Sequence, residues 1–422
     1  AVPSAAALDS HACVDLTRCR LILGKTLLET GRMAEAEAQG HLALAALGTE
    51  ASGPESGFVR NLLGTIRFRQ GETEEARTHF RAALEHFRSR GDVTNLSLAY
   101  INLGHVYKQA CEWARAEEHY RAAYYLRAAE GEFQGQGAIL QNLALVRMKI
   151  GRYGEAREHL EESLRQALQQ SDPARALRAR LSLARLCRET WDSAGARELL
   201  RACREGAPDP MPEREACLVL YEEAVLARLA GRYGEAQTLA VEFADRVSRL
   251  AQRGDLAVMS LQLDGDLALD RHDWTDAEGF FRRARELARE DRDRYEESHA
   301  LFGQFEVCVA TGRLEEGEGL FQLLHDRLLL GGEQPGLARL YQLRGRLEQE
   351  ARGRPEEALE WYRRARDLWR RMACPRLEAH LDLRMADALL DLGRAGEATT
   401  LIQGLRDRPA AASGESDGTV EA

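Results

Sequence analysis

The chain has 422 residues, of which 44% are hydrophobic and 30% charged, with a formal net charge of −10. This is the composition of a folded protein rather than a disordered one, and the acid excess argues against nucleic acid as the main partner. No apolar run of 18 residues occurs, so no membrane span is expected.

Ala, Leu, Glu and Arg dominate, and all four are strong helix formers. Val, Ile and Thr are sparse, so a large sheet is not expected. Lysine occurs only at Lys25, Lys108 and Lys149, and every other basic side chain is arginine. Residues 1–200 are close to neutral, and nearly all the acid excess lies beyond them. None of the 8 cysteines forms a C-x-x-C pair or a zinc pattern. Free thiols buried in a reducing cytoplasm are expected. The first residues, AVPSAAALDS, carry no secretory signature. They also lack an initiator Met, which either Met removal or excision from a longer protein explains.

Helical hairpins are predicted along almost the whole chain. The hexapeptide GRYGEA at 151–156 returns at 231–236. Its alanine belongs to a column running Ala36, Ala76, Ala116, Ala156, Ala196, Ala236, Ala277, Gly317, Ala358 and Ala398. Ten units of about 40 residues follow from it. Twelve positions before the anchor stand small residues: Gly24, Gly64, Gly104, Ala144, Ala184, Ala224 and Gly265. Five before it stand Gly31, Gly71, Gly151, Gly231, Gly312, Gly353 and Gly393, a column broken by Cys111, Trp191 and His272. Four after it stand bulky residues such as Phe80, Tyr120, Phe281 and Tyr362. Two small positions let paired helices approach, the bulky one fills the space beside them, and the glycine ends the first helix in a left-handed turn. The connector GAPDPMP at 206–212 reads as a longer turn, with a hinge as the alternative.

The pattern resembles the tetratricopeptide repeat, most clearly in Asn102-Leu-Gly-His-Val-Tyr107 with Ala116, Tyr120 and Ala123 downstream. The resemblance covers residues 15–406. It implies an all-α fold, an α-solenoid of about ten helix-turn-helix repeats wound into a right-handed superhelix, with first helices lining a concave wall. The period departs from the standard 34 residues, which lengthens both helices. Long-period members are familiar among peptide-binding adaptors and bacterial regulatory sensors. Residues 1–14 are expected to precede the solenoid, and residues 407–422 to form a disordered tail or a linker.

No motif of an enzyme or a metal site is apparent. Gly414-Glu-Ser416-Asp-Gly418 spells G-x-S-x-G, but no strand or helix flanks it as a nucleophile elbow requires. His79, His119 and His159 recur one per repeat, too far apart to share one metal ion. No cofactor or metal is expected, and no catalysis.

Function is expected on the concave wall. In repeats one to five the resemblance places Lys25, Asn61, Asn102, His105, Lys108, Gln109, Gln141, Asn142, Lys149, Arg178, Arg185 and Arg188 there. Asparagine offers one acceptor and two donors, which match a peptide backbone. The basic residues would select acidic side chains or a terminal carboxylate. In later repeats the same positions carry Asp266, Asp270, Glu306, Glu350, Asp387 and Asp391, so a bipolar groove is expected. The Lys/Asn/Asn/Lys/Arg set of chaperone-tail clamps is not found, and a co-chaperone role is disfavoured. The expected function is a protein-interaction scaffold holding a protein or peptide segment. The alternative is the sensor or autoregulatory region of a larger bacterial signalling protein, which the missing Met and linker-like tail would fit. The oligomeric state does not follow from the sequence.

Overall fold

The structure, a computed structural model, describes residues 10–47, 55–131, 136–250 and 254–406. Residues 1–9 and 407–422, with the Gly414–Gly418 motif, lie outside the described residues. Packing divides the chain into two compact units, 1–139 and 140–422. The first unit holds α1 (Ser10–Glu29) and α2 (Met33–Ala46), α3 (Ser56–Arg69) and α4 (Thr73–Arg90), and α5 (Val93–Gln109) and α6 (Trp113–Ala129). The division falls within α7 (Gln136–Lys149). The second unit continues with α8 (Tyr153–Gln169), α9 (Pro173–Glu189), α10 (Ser193–Glu205), α11 (Glu213–Leu229), α12 (Tyr233–Arg249), α13 (Gly254–Asp270) and α14 (Trp274–Glu290). It ends with α15 (Arg294–Thr311), α16 (Leu314–Gly331), α17 (Gln334–Arg346), α18 (Pro355–Arg371), α19 (Pro375–Asp391) and α20 (Ala395–Arg406). The fold is all-α, and successive pairs are the ten predicted hairpins, called repeats 1 to 10 below.

The columns have the physical roles expected of them. A β-carbon on Gly64 would stand 2.8 Å from Phe80, one on Gly104 2.5 Å from Tyr120, and one on Gly265 2.7 Å from Phe281. The bulky residue of the second helix therefore lies directly on the small residue of the first. All ten anchors except Gly317 are buried alanines.

The joints are Schellman turns. Gly71 has φ +74°, and Glu72 N–H donates to Arg67 C=O at 2.9 Å. The three residues that break the glycine column adopt the same conformation: Cys111, Trp191 and His272 have φ 57°, 60° and 60°. The bond pattern persists there, with Asp192 N–H donating to Cys187 C=O at 2.7 Å. The hairpin thus imposes the left-handed turn on side chains that do not prefer it. A second left-handed column lies between repeats, at Gly91, Gly131, Ser171, Arg292, Gly332 and Ala373. Several helices there are capped by an aspartate one residue on, as where Asp172 accepts from Arg175 N–H at 2.9 Å. The 206–212 connector joins α10 to α11, which pack against each other. In repeat 9 the first helix ends in a π-helical turn, Leu347–Ala351.

Of the seven described cysteines, Cys19 is exposed, Cys111 is half-buried and five are buried as free thiols. Burial pushes the thiols of Cys203 and Cys374 up to about 12, which leaves them unreactive.

Repeats of the second unit touch more than their sequence neighbours. One core cluster unites Met148, Tyr153 and Leu186 of repeats 4 and 5 with Trp369, Met372, Cys374 and Leu377 of repeats 9 and 10. Trp191 lies against His380 with ring centroids 4.9 Å apart, and Arg376 Nη1 donates to Trp191 C=O at 2.7 Å. A simple stack of hairpins brings each repeat against its sequence neighbours alone. The second unit instead brings its early and late repeats together.

Candidate functional site

The candidate residues of the first unit are engaged mainly within it. Asn102 Nδ2 donates to Asn61 Oδ1 at 2.8 Å. This pair stitches α5 to α3 and gives the asparagine series a structural task in this unit. His105 Nδ1 lies 2.8 Å from the Tyr120 hydroxyl. Burial, helped by Lys108, lowers its pKa to about 4, so it is a neutral ring packed on its own hairpin. Lys108 and Gln109 are half-buried, and Gln109 Oε1 is buried without a hydrogen-bond partner. Lys25 is exposed on α1.

In the second unit the structure gathers four candidates. Gln141, Asn142 and Arg185 line a cavity of about 230 Å³ together with Leu145, Met148, Leu160 and Ser182. Gln141 Nε2 also donates to Ser163 Oγ at 3.1 Å. Beside the cavity, Lys149 Nζ donates to the Tyr295 hydroxyl at 2.7 Å, and Arg185 Nη2 donates to the same oxygen at 2.9 Å. Lys149 is buried, and its ammonium also stands 4.4 Å from the Tyr295 ring centre. Arg185 Nε reaches Glu189 at 2.9 Å. Burial raises the Glu189 pKa, but Lys149, Arg185 and Arg188 outweigh it and hold the carboxyl at about 2.

Along repeats 5 to 10 the charges of the first helices pair with one another. Arg188 pairs with Glu222 at 2.5 Å, Arg228 with Asp266 at 3.2 Å and Asp270 at 3.3 Å, and Arg339 with Glu306 at 2.6 Å. Arg384 lies 3.5 Å from Glu350. Arg178 lies 3.6 Å from Glu215. Each pair joins the first helices of adjacent repeats. The charges alternate along the wall and neutralise one another locally, because equivalent positions in neighbouring repeats sit side by side. Sequence reading passed over Arg228, Arg339 and Glu222. Opposite charges spaced by 33 to 42 positions on first helices were the available signal.

His119 Nδ1 donates to its own helix at the Arg115 carbonyl, 2.9 Å away, and His159 Nε2 lies 2.7 Å from Arg147. Among the described residues no group of three side chains is placed to hold a metal ion, and no helix is long and apolar enough to cross a membrane.

Stacked hairpins with a small-on-bulky core and a polar first-helix wall define a helical-repeat scaffold. The sequence profile of the tetratricopeptide repeat matches residues 57–128, 136–209 and 306–371, half of the chain. The chain belongs to the tetratricopeptide repeat family. Among solved structures, the apo form of RapI superposes with a TM-score of 0.55 at 12% identity, over 65% of this chain and 98% of that one. A tetratricopeptide repeat protein from Parabacteroides merdae gives 0.49 at 17% identity, over 68% and 99%. A Rap protein complexed with competence and sporulation factor gives 0.48 at 12%, over 93% and 96%. At these identities the likeness is one of fold. No curated protein matches the chain significantly.

Proposed function

We propose that the chain is a non-enzymatic scaffold whose second unit holds a peptide segment at the first helices of repeats 4 and 5. The family supports the general reading, since tetratricopeptide repeats are interaction modules that generally lack catalysis. The observation that carries the finer one is the cavity lined by Gln141, Asn142, Ser182 and Arg185. Two side-chain amides and a hydroxyl supply donors and acceptors for a peptide unit. Leu145, Met148 and Leu160 supply an apolar floor for one side chain. Arg185 adds a charged donor suited to a carboxylate. The free thiols fit a reducing cytoplasm.

The sensor reading is favoured by a different observation. Repeats 4 and 5 meet repeat 8 through polar contacts of Tyr295, and repeats 9 and 10 through a shared apolar cluster with polar and ring contacts at its edge. A ligand that favoured another arrangement would shift this unit as a whole.

The test is to pan octapeptides displayed with free carboxyl termini on the full chain. A consensus should be enriched, and Asn142→Ala, of unchanged helicity, should weaken it about tenfold. Absence of any enriched sequence, or equal binding by Asn142→Ala, overturns the reading.

A further inference from the structure

Two cations converge on one phenol oxygen in the second unit. Lys149, at the end of α7, and Arg185, in α9, both donate to the hydroxyl of Tyr295, at the start of α15. Tyr295 is 146 positions from Lys149 and 110 from Arg185. A buried lysine ordinarily finds a carboxylate, because desolvating an ammonium is costly without an opposite charge. Here the shortest bond of Lys149 goes to a neutral oxygen, and Glu189 stands farther off at 3.9 Å. Burial raises the Tyr295 pKa despite Lys149 and Arg185, so the oxygen stays a phenol. Glu189 also takes the Arg185 Nε bond, and Glu333 and Glu296 act on these cations at longer range. Arg185 is shared between this cluster and the cavity with Gln141 and Asn142.

Resting on the peptide reading above, we propose that Tyr295 is an internal occupant of a carboxylate subsite. Its hydroxyl holds the place between Lys149 Nζ and Arg185 Nη2 that a carboxylate of the bound segment takes. A segment lying in the cavity reaches the same two cations through Arg185. A carboxylate there adds an ionised acceptor to the two ionised donors, whereas the phenol oxygen offers them only a neutral one. Binding then displaces Tyr295 and draws repeat 8 from repeats 4 and 5, so the protein opposes weak ligands with its own side chain. The carboxylate belongs either to the segment's C-terminus or to an Asp or Glu side chain.

The experiment uses the full chain and the octapeptides enriched on it. Each peptide is made four ways: as free acid or amide, and with its Asp and Glu kept or replaced by Asn and Gln. Affinities are measured by fluorescence anisotropy against wild type, Tyr295→Phe and Arg185→Gln, with thermal melts to confirm folding. Tyr295→Phe keeps the ring beside His299, 4.6 Å away between centroids, and removes only the competing oxygen. It should bind the carboxylate-bearing forms about five- to tenfold tighter and leave the fully neutral form unchanged. Arg185→Gln should weaken the same forms selectively. Loss of the gain on amidation assigns the subsite to a C-terminus, and its loss with Asn and Gln assigns it to a side chain. If Tyr295→Phe changes no form, or all four alike, this inference falls while the peptide reading stands. If no peptide binds any of the proteins, both fall.

Discussion

Met372 lies so close to Gly151 that a β-carbon on the glycine would stand 2.4 Å from its sulfur. Gly151 opens the first GRYGEA copy, and Gly231 opens the second, where nothing lies within 4 Å. Identical hexapeptides therefore occupy different surroundings. Both glycines have positive φ, 80° and 69°. Only one also supports a contact between repeat 4 and the turn that joins repeats 9 and 10.

Alanine at the two positions should separate these effects. Gly231→Ala should cost about 1 kcal/mol, the backbone penalty alone. Gly151→Ala should cost about 2–4 kcal/mol, since overpacking against Met372 adds to it. Urea unfolding of both variants measures the difference. Equal costs would mean that the Met372 contact has slack.

Arg188 and Glu222 should behave as a half-buried ion pair. The Glu222 side chain is only 8% exposed, so Arg188→Ala leaves a carboxylate without its partner and should cost about 3–5 kcal/mol. The double change Arg188→Met with Glu222→Leu should recover most of that loss. A single variant as stable as wild type would remove the pair from the unit's stability.

Glu296 sets a pH dependence. Burial, reinforced by Asp293 and Asp255 against Arg185 and a Gln262 hydrogen bond, raises its pKa from 4.5 to about 7. The fold favours the protonated form. Its contribution is present below the ordinary value and is lost as pH rises through about 7. The size is on the order of 3 kcal/mol. Glu296→Gln should raise Tm relative to wild type at pH 8.5 and change it little at pH 5. A shift of the same size at both values would count against a proton held on Glu296.

Gly104 and Tyr120 show how the repeat core is closed. A β-carbon on Gly104 would meet the Tyr120 ring at 2.5 Å, and that ring is fixed by its hydroxyl contact with His105. Gly104→Ala should therefore destabilise the first unit by about 1–3 kcal/mol. Hydrogen exchange of α5 and α6 reads this directly, and unchanged protection would show that the ring can shift.

Asn102→Ala tests the structural role of the Asn102–Asn61 pair. It should lower stability by about 1 kcal/mol and leave the affinity of the selected peptides unchanged. A selective loss of peptide binding would return Asn102 to the binding surface.

The candidate site was legible in part. The first-helix rule found Gln141, Asn142 and Arg185, which share a cavity, and Lys149, which stands beside it. The same rule placed His105 and Asn102 on the wall, where Tyr120 and Asn61 engage them. A position rule gives the side of a helix. It does not say whether a neighbour already satisfies the side chain there.

The sequence by itself determined the period, the ten hairpins, the joints and the small-on-bulky core. These features arise between residues within about 20 positions of each other, where helix geometry and turn chemistry leave few alternatives. At Cys111, Trp191 and His272 the glycine column breaks in the sequence, and the structure shows the left-handed joint kept there. Only the tertiary structure decided which repeats meet across the second unit. The small offset between successive hairpins accumulates over several repeats. That sum, which no single repeat encodes, brings Tyr295 to Lys149 and Met372 to Gly151.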